Sequence, residues 1–221
     1  MHKCRYSPPE SSAPEVLSKI SSVAGVGKAV VFGSVAVASW VKRQVPPSDV
    51  DILVDRLDLD SHSFKMGLRE QGFDGVPSHI GHHEDDFAIY HNGVAHDPVK
   101  VHLVLRVGNG GLFDDFLGIN TGRFFEHSVI RRIGDGEIRV LDRNMLVLTK
   151  WHGCFARNNG IADLEDIRAI LAEHYNGSAE EFVDREIDFI ARVLGISRAN
   201  EFIGFMKNLQ IGIEAAKSLR A

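Results

Sequence analysis

The chain has 221 residues, a formal net charge of −5 and 44% hydrophobic residues, which is the composition of an ordinary globular protein. This charge balance disfavours a nucleic-acid partner, although a local basic patch stays open. No apolar run is long enough for a membrane span, the N-terminus lacks the apolar segment of a signal peptide, and two cysteines exclude a disulfide framework. We therefore expect a cytoplasmic protein with no membrane partner.

The N-terminal half alternates between predicted helices and strands. The capping-box spacing of Ser12 and Glu15 predicts a first helix. The run KAVVFGS predicts a strand that ends at Gly33, VAVASWVKRQV predicts a helix that the following Pro-Pro pair stops, and DVDILVD predicts a second strand. Helical spacing follows in LDSHSFKMGLREQGF, and the runs DFAIYH, PVKVHLVLRV and EIRVLD predict further strands from about Pro77 onward.

The C-terminal half has the patterns of helices. Asp142 is an acidic cap candidate for DRNMLVLTKWHGCFAR, and ADLEDIRAILAEH has an apolar stripe at helical spacing. Another capping box, Ser178 to Glu181, opens a helix that we expect to end at Gly195, with RANEFIGFMKNLQIGIEAAKSL as a final helix.

These patterns together predict an α/β (α+β) fold, with strands and helices up to about residue 141 and helices after it. We expect residues 1–141 to form an α/β domain and residues 142–221 to form a helical region packed on it.

Asp49 and Asp51 are the first chemical signal in the chain. Residues two apart on a strand share a face, so the two carboxylates project together and repel unless a cation or a proton compensates them. Hard oxygen ligands favour Mg²⁺ or Mn²⁺. Upstream, the turn at Gly33 and Ser34 allows a phosphate to approach the backbone closely. Together they predict a metal and nucleoside triphosphate site; the alternative is a polar strand end with solvated aspartates.

The segment FGS…SDVDILV resembles the signature of the nucleotidyltransferase superfamily of DNA polymerase beta type. The resemblance implies a nucleotidyltransferase-like fold, with a mixed sheet flanked by helices, and an enzyme that transfers a nucleoside monophosphate from a triphosphate to an acceptor hydroxyl. It also implies that Gly33 and Ser34 hold the triphosphate and that Asp49 and Asp51 are catalytic metal ligands. The segment between the two motifs departs from the family, which has a shorter helix there with an arginine and a glycine.

The segment VLDRNMLVLTKWHGCFARNNGIADLEDIRAIL is similar to the helical segment of abortive-infection-type nucleotidyltransferases, which are often the toxin of a toxin–antitoxin pair. The resemblance implies that Lys150 is a nucleotide-contacting lysine and that Asp163 and Asp166 form the family's acidic pair. Arg157 lies two turns after Lys150, so both could contact phosphates. The alternative is a solvated helix face on which Lys150 and Arg157 pair with the two aspartates.

His102 stands where the family has a third carboxylate, in VKVHLVL. Three hypotheses are open: His102 is the general base for the attacking hydroxyl, it shifts the site toward Mn²⁺ or another imidazole-tolerant metal, or the protein binds a nucleotide without transferring it. The last describes a catalytically impaired nucleotide-binding or regulatory module. The substitutes Asp85, Asp86 and Asp97 lack the family context.

Histidines are concentrated between residues 79 and 102. A zinc hydrolase is a third interpretation of this segment, but no HExxH motif is present and a solvated polar hairpin fits the spacing better. The acceptor remains open among an antibiotic, a tRNA, a protein side chain and another nucleotide, with the acidic charge disfavouring tRNA.

Overall fold

The computed structural model of the chain describes thirteen stretches of residues. They are 17–19, 21–23, 29–42, 49–55, 66–67, 69–71, 73–77, 87–91, 99–106, 119, 121–133, 136–156 and 160–218. Residues 17–19 and 21–23 are helical, whereas the predicted helix start at Ser12 and Glu15 lies outside the described residues.

A mixed sheet forms the N-terminal half, as the sequence predicts. Its strands are β1 (Ala29–Phe32), β2 (Asp49–Asp55), β3 (Phe73–Pro77), β4 (Phe87–His91), β5 (Val99–Arg106), β6 (Ser128–Ile133) and β7 (Gly136–Leu141). The spatial order is β3-β4-β5-β2-β1-β7-β6. Strand β2 pairs antiparallel with β1 and parallel with β5, β1 pairs parallel with β7, and the remaining pairs are antiparallel.

The helices are α1 (Gly33–Ala38), α2 (Thr121–Glu126), α3 (Arg143–Ala156), α4 (Ile161–His174) and α5 (Ala179–Ser218). The two predicted caps within the described residues are present: the backbone N–H of Met145 donates to Asp142 Oδ1 at 2.8 Å, and that of Glu181 donates to Ser178 Oγ at 3.1 Å. Gly195 has φ 74° and ψ 163°, so the long element α5 breaks there as predicted.

The helix after Gly33 is shorter than the sequence predicts. It begins at Gly33 and ends at Ala38 instead of continuing to the Pro-Pro pair. Two contacts account for the early end. The Ser39 hydroxyl donates to the Ala36 carbonyl oxygen at 2.7 Å, and Trp40 Nε1 donates to the carbonyl oxygen of Leu141, at the end of β7, at 2.8 Å. A tertiary contact thus overrides local helix propensity.

Three elements differ from the sequence prediction. Helix α2 and strand β6 were not predicted, and β3 lies before Pro77, where the predicted strands begin. Strand β6 is at the edge of the sheet, and its neighbouring residues Val129 and Ile130 are both exposed, so the period-two alternation of a half-buried strand is missing.

One buried apolar cluster joins the sheet to the C-terminal helices. It includes Val31 and Ile52 of the sheet, Leu146 of α3, Ile167 of α4 and Phe202 of α5. The core therefore crosses the boundary at residues 141 and 142, and the division into two domains there stays a prediction. No helix in the described part of the chain is both long and apolar enough to cross a membrane.

Candidate functional site

Gly33 and Asp51 lie against each other at the end of β1. Phe32 is opposite Asp51 in the antiparallel pair of β1 and β2, and Gly33 follows directly with φ 67°. A Cβ at Gly33 would overlap Oδ2 of Asp51 and would lie 2.9 Å from its Cγ. The turn therefore needs glycine for two reasons: the left-handed backbone and the close approach of a carboxylate that is 8% exposed.

Asp49 and His102 are placed by the backbone pairing of their strands. Strand β2 runs parallel to β5, with Asp49 opposite Lys100 and Asp51 opposite His102. Asp49 and Asp51 are two residues apart in this strand. The register thus brings both predicted metal ligands and the predicted base to neighbouring positions of two adjacent strands.

Ser34 and Lys150 connect the turn to the helical half. Ser34 lies in the first turn of α1, which packs against α3. Lys150 Nζ of α3 donates a hydrogen bond to Ser34 Oγ at 3.3 Å. Two residues that are 116 positions apart in the chain therefore meet beside Asp51.

Lys150 is also held by the acidic pair of α4. Its Nζ lies 2.8 Å from Asp163 Oδ1 and 2.8 Å from Asp166 Oδ2. The i,i+3 spacing puts the two aspartates on one face of α4. For Lys150, the pairing offered by the alternative interpretation is present, but the solvated helix face is wrong, because Lys150 is 4% exposed and each aspartate 3%. We call Lys150, Asp163 and Asp166 the buried triad.

Gly153 permits the close approach of α3 and α4 that the buried triad requires. It lies one turn after Lys150, and a Cβ there would be 2.5 Å from Asp163 Oδ2 and 2.8 Å from its Cγ. Sequence reasoning missed this residue. The only available signal was a glycine inside a predicted helix, a position where glycine is unfavourable without a packing reason.

Cys154 lies close to the buried triad but is not an activated nucleophile. The pKa of its thiol is raised to about 11, chiefly by burial and then by the charge of Asp163, while Lys150 acts in the opposite direction. Because the thiolate is the reactive form, a thiol with such a pKa is inert near neutral pH.

Some predicted residues lie outside the described part of the chain. This group includes Arg157 and the substitute carboxylates Asp85, Asp86 and Asp97. It also includes the histidines of the zinc interpretation, except His91 and His102. Among the described side chains, no group of three or more histidine, cysteine, aspartate or glutamate residues could hold a metal ion.

No family model and no curated protein matches the chain. Among solved structures it is similar to ANT(2")-Ia in complex with adenylyl-2"-tobramycin, with 10% identity, a TM-score of 0.50, and coverage of 81% of this chain and 97% of that one. An antigenic nucleotidyltransferase-like protein from Paracoccidioides brasiliensis has 12% identity and a TM-score of 0.49, with coverage of 86% and 92%. The abortive-infection subtype stays a prediction. The chain has the nucleotidyltransferase fold.

Proposed function

We propose that the protein is a metal-dependent nucleotidyltransferase that moves a nucleoside monophosphate from a nucleoside triphosphate to an acceptor hydroxyl. The observation that supports this most strongly is the position of the Asp51 carboxylate against the turn at Gly33 and Ser34. The turn that is predicted to bind phosphate and the carboxylate that is predicted to bind metal are therefore neighbours. Gly33 and Ser34 hold the triphosphate, Arg157 supplies positive charge toward the phosphates, and Lys150 belongs to the same nucleotide-binding group through its contact with Ser34.

The two aspartates fit a divalent cation. Asp49 and Asp51 offer carboxylate oxygens, the ligands that Mg²⁺ and Mn²⁺ prefer. When ionised, Asp51 and the buried triad carry a formal net charge of −2, from three carboxylates and one ammonium group. An anionic triphosphate is repelled by this cluster unless a cation compensates it. A bound Mg²⁺ or Mn²⁺ would supply charge stabilisation to the phosphate oxygens.

The proposed reaction is a displacement at the α-phosphorus. The acceptor oxygen forms an ester bond to this phosphorus while the bond to the oxygen bridging to the β-phosphate breaks. Pyrophosphate leaves with the electron pair of that bond. The acceptor's proton passes to a base, and His102 is the residue that the register places beside Asp51.

The test is thermal denaturation of the protein with each of the four nucleoside triphosphates and either MgCl₂ or MnCl₂. We expect at least one triphosphate to raise the melting temperature of the wild type, because a ligand of the native state stabilises it. Asp51→Asn should lose this effect. Asp188→Asn, which changes an exposed aspartate of α5, is the matched control and should keep it.

Turnover is measured as pyrophosphate release in the presence of candidate acceptors. The ANT(2")-Ia complex holds an adenylylated small molecule, so hydroxyl-rich small molecules are the first acceptors to test. Pyrophosphate release that requires both the acceptor and Asp51 supports the proposal. If no triphosphate stabilises the wild type at millimolar concentration with either metal, the proposal is wrong.

A nucleotide-binding or regulatory module without transferase activity is the second candidate. It is favoured by the register, which places a histidine and not a carboxylate opposite Asp51. His102→Asp discriminates between the two candidates: a gain of pyrophosphate release means that the natural site is degenerate, and a loss means that His102 takes part in the reaction. Arg106→Asp, which adds a carboxylate elsewhere on β5, is the control.

A further inference from the structure

The ammonium group of Lys150 has three acceptors around it within the fold. They are Ser34 Oγ at 3.3 Å, Asp163 Oδ1 at 2.8 Å and Asp166 Oδ2 at 2.8 Å. A lysine ammonium carries three N–H donors and accepts no hydrogen bond. Two of these contacts are hydrogen bonds, to Ser34 Oγ and Asp163 Oδ1, and the third, to Asp166 Oδ2, is an ion pair, so a phosphate that approaches the ammonium group meets two carboxylates that already compensate its charge.

On the basis of the proposed function, we infer that Lys150 is a positioning residue that acts on the nucleotide through Ser34. Ser34 Oγ accepts a hydrogen bond from the ammonium group, so its own O–H proton points away from Lys150. The Ser34 hydroxyl is then oriented to donate to a phosphate oxygen at the turn that Gly33 begins. Asp163 and Asp166 fix the ammonium group that orients it.

The charge balance of the buried triad supports an indirect role. Two carboxylates at 2.8 Å already compensate the single positive charge of Lys150, which leaves the triad formally negative. A triphosphate therefore gains little from approaching this ammonium group. The group is also tightly confined, since it is 4% exposed and α3 approaches α4 closely at Gly153.

A double-mutant cycle on triphosphate affinity tests the inference. The variants are Ser34→Ala, a neutral triad (Lys150→Met with Asp163→Asn and Asp166→Asn) and their combination. The dissociation constant of the stabilising triphosphate is measured with MnCl₂ by calorimetry. Ser34→Ala should raise it about tenfold or more, as expected for a lost hydrogen bond to a charged group. In the Ser34→Ala background, the neutral triad should raise it by less than about twofold, because the two changes remove the same contact and the neutral triad carries no net negative charge.

Additive effects would overturn the inference, because they mean that Lys150 contacts the phosphates independently of Ser34. A wild type that binds no triphosphate would overturn the proposed function and this inference together. If the wild type binds a triphosphate and the effects of the substitutions on its affinity are additive, only the inference is overturned. The two failures are therefore distinguishable.

Lys150→Arg provides a second test if the neutral triad does not fold. It keeps the positive charge and both carboxylates but moves the donor away from Ser34 Oγ, because the guanidinium group is planar and differs in reach. An indirect role predicts an affinity as low as that of Ser34→Ala. Retained affinity, as expected for a charge that binds phosphate directly, would overturn the inference. Lys207→Arg, at an exposed position of α5, is the control.

Discussion

The carboxylate of Asp51 occupies the space that a side chain at Gly33 would need. This contact joins the two halves of the sequence motif: the turn that ends β1 and the aspartate of β2. Asp51 therefore has two roles: it packs against the turn, and it is proposed to bind metal. Substitutions at Gly33 and Asp51 can separate the steric role from the chemical one.

Gly33→Ala should destabilise the protein more than Gly177→Ala. Both glycines have positive φ, 67° and 70°, so both substitutions carry a backbone cost of about 1–2 kcal/mol. A Cβ at Gly177 has no atom within 4 Å, whereas one at Gly33 overlaps Asp51. We expect a further cost of about 1–3 kcal/mol at Gly33, measured as the free energy of unfolding in urea.

The same measurement on Asp51→Ala identifies the source of the extra cost. In that background, Gly33→Ala should be less destabilising than in the wild type, because the overlapping carboxylate is gone. An equal cost in both backgrounds would contradict the steric explanation.

Lys150→Met should lower the free energy of unfolding by about 3–5 kcal/mol, because it leaves Asp163 and Asp166 buried without their compensating charge. Adding Asp163→Asn and Asp166→Asn should restore part of this loss. Lys207→Met, at an exposed position, should change stability by less than about 0.5 kcal/mol. Equal small effects at Lys150 and Lys207 would mean that the triad is not a structural unit.

Gly153→Ala should destabilise the protein even though alanine is the better helix former. In a helix interior, replacing glycine by alanine ordinarily raises the free energy of unfolding by about 1 kcal/mol. Gly204→Ala in α5 should show that gain, since a Cβ there has no atom within 4 Å. At Gly153 the new Cβ would lie 2.5 Å from Asp163 Oδ2. A stabilised Gly153→Ala protein would contradict the close approach of α3 and α4.

Cys154 should be slow to alkylate in the native protein. Burial raises the pKa of its thiol from 9.0 to about 11, so the thiolate fraction at pH 8 falls about hundredfold. The rate of iodoacetamide modification is measured against pH on the Cys4→Ala variant, and the same protein in denaturant is the control. The native rate should rise with pH up to about 11, whereas a plateau near pH 9 would contradict burial as the cause.

The same thiol reports on the buried triad. Asp163 raises the pKa of Cys154 and Lys150 lowers it. Asp163→Asn should therefore move the alkylation profile to lower pH. Lys150→Met should move it to higher pH. If neither substitution moves the pH dependence of the alkylation rate, the charges of Asp163 and Lys150 do not affect the pKa of Cys154.

The sequence by itself determined the elements whose patterns are strong and local. Period-two alternation predicted β5, helical stripes and caps predicted α3 and α4, and Gly195 predicted the break in α5. The resemblance of the segment around Gly33 and Asp51 to the nucleotidyltransferase signature predicted the fold, because that signature is a local order of turn, helix and Asp-x-Asp strand. Edge strand β6 carries no comparable alternation, so it was missed.

Only the tertiary structure decided the environment of Lys150. The sequence offered a phosphate contact or a solvated ion pair, because spacing on one helix does not show what another helix packs against it. The structure brings Ser34, Asp163 and Asp166 to the ammonium group, with burial that no local pattern encodes. The length of α1 was decided in the same way, by the contact between Trp40 and the carbonyl oxygen of Leu141. Contacts between residues about a hundred positions apart depend on packing of the whole core, which is why the sequence offered the pairing of Lys150 with Asp163 and Asp166 as an alternative but not the contact with Ser34.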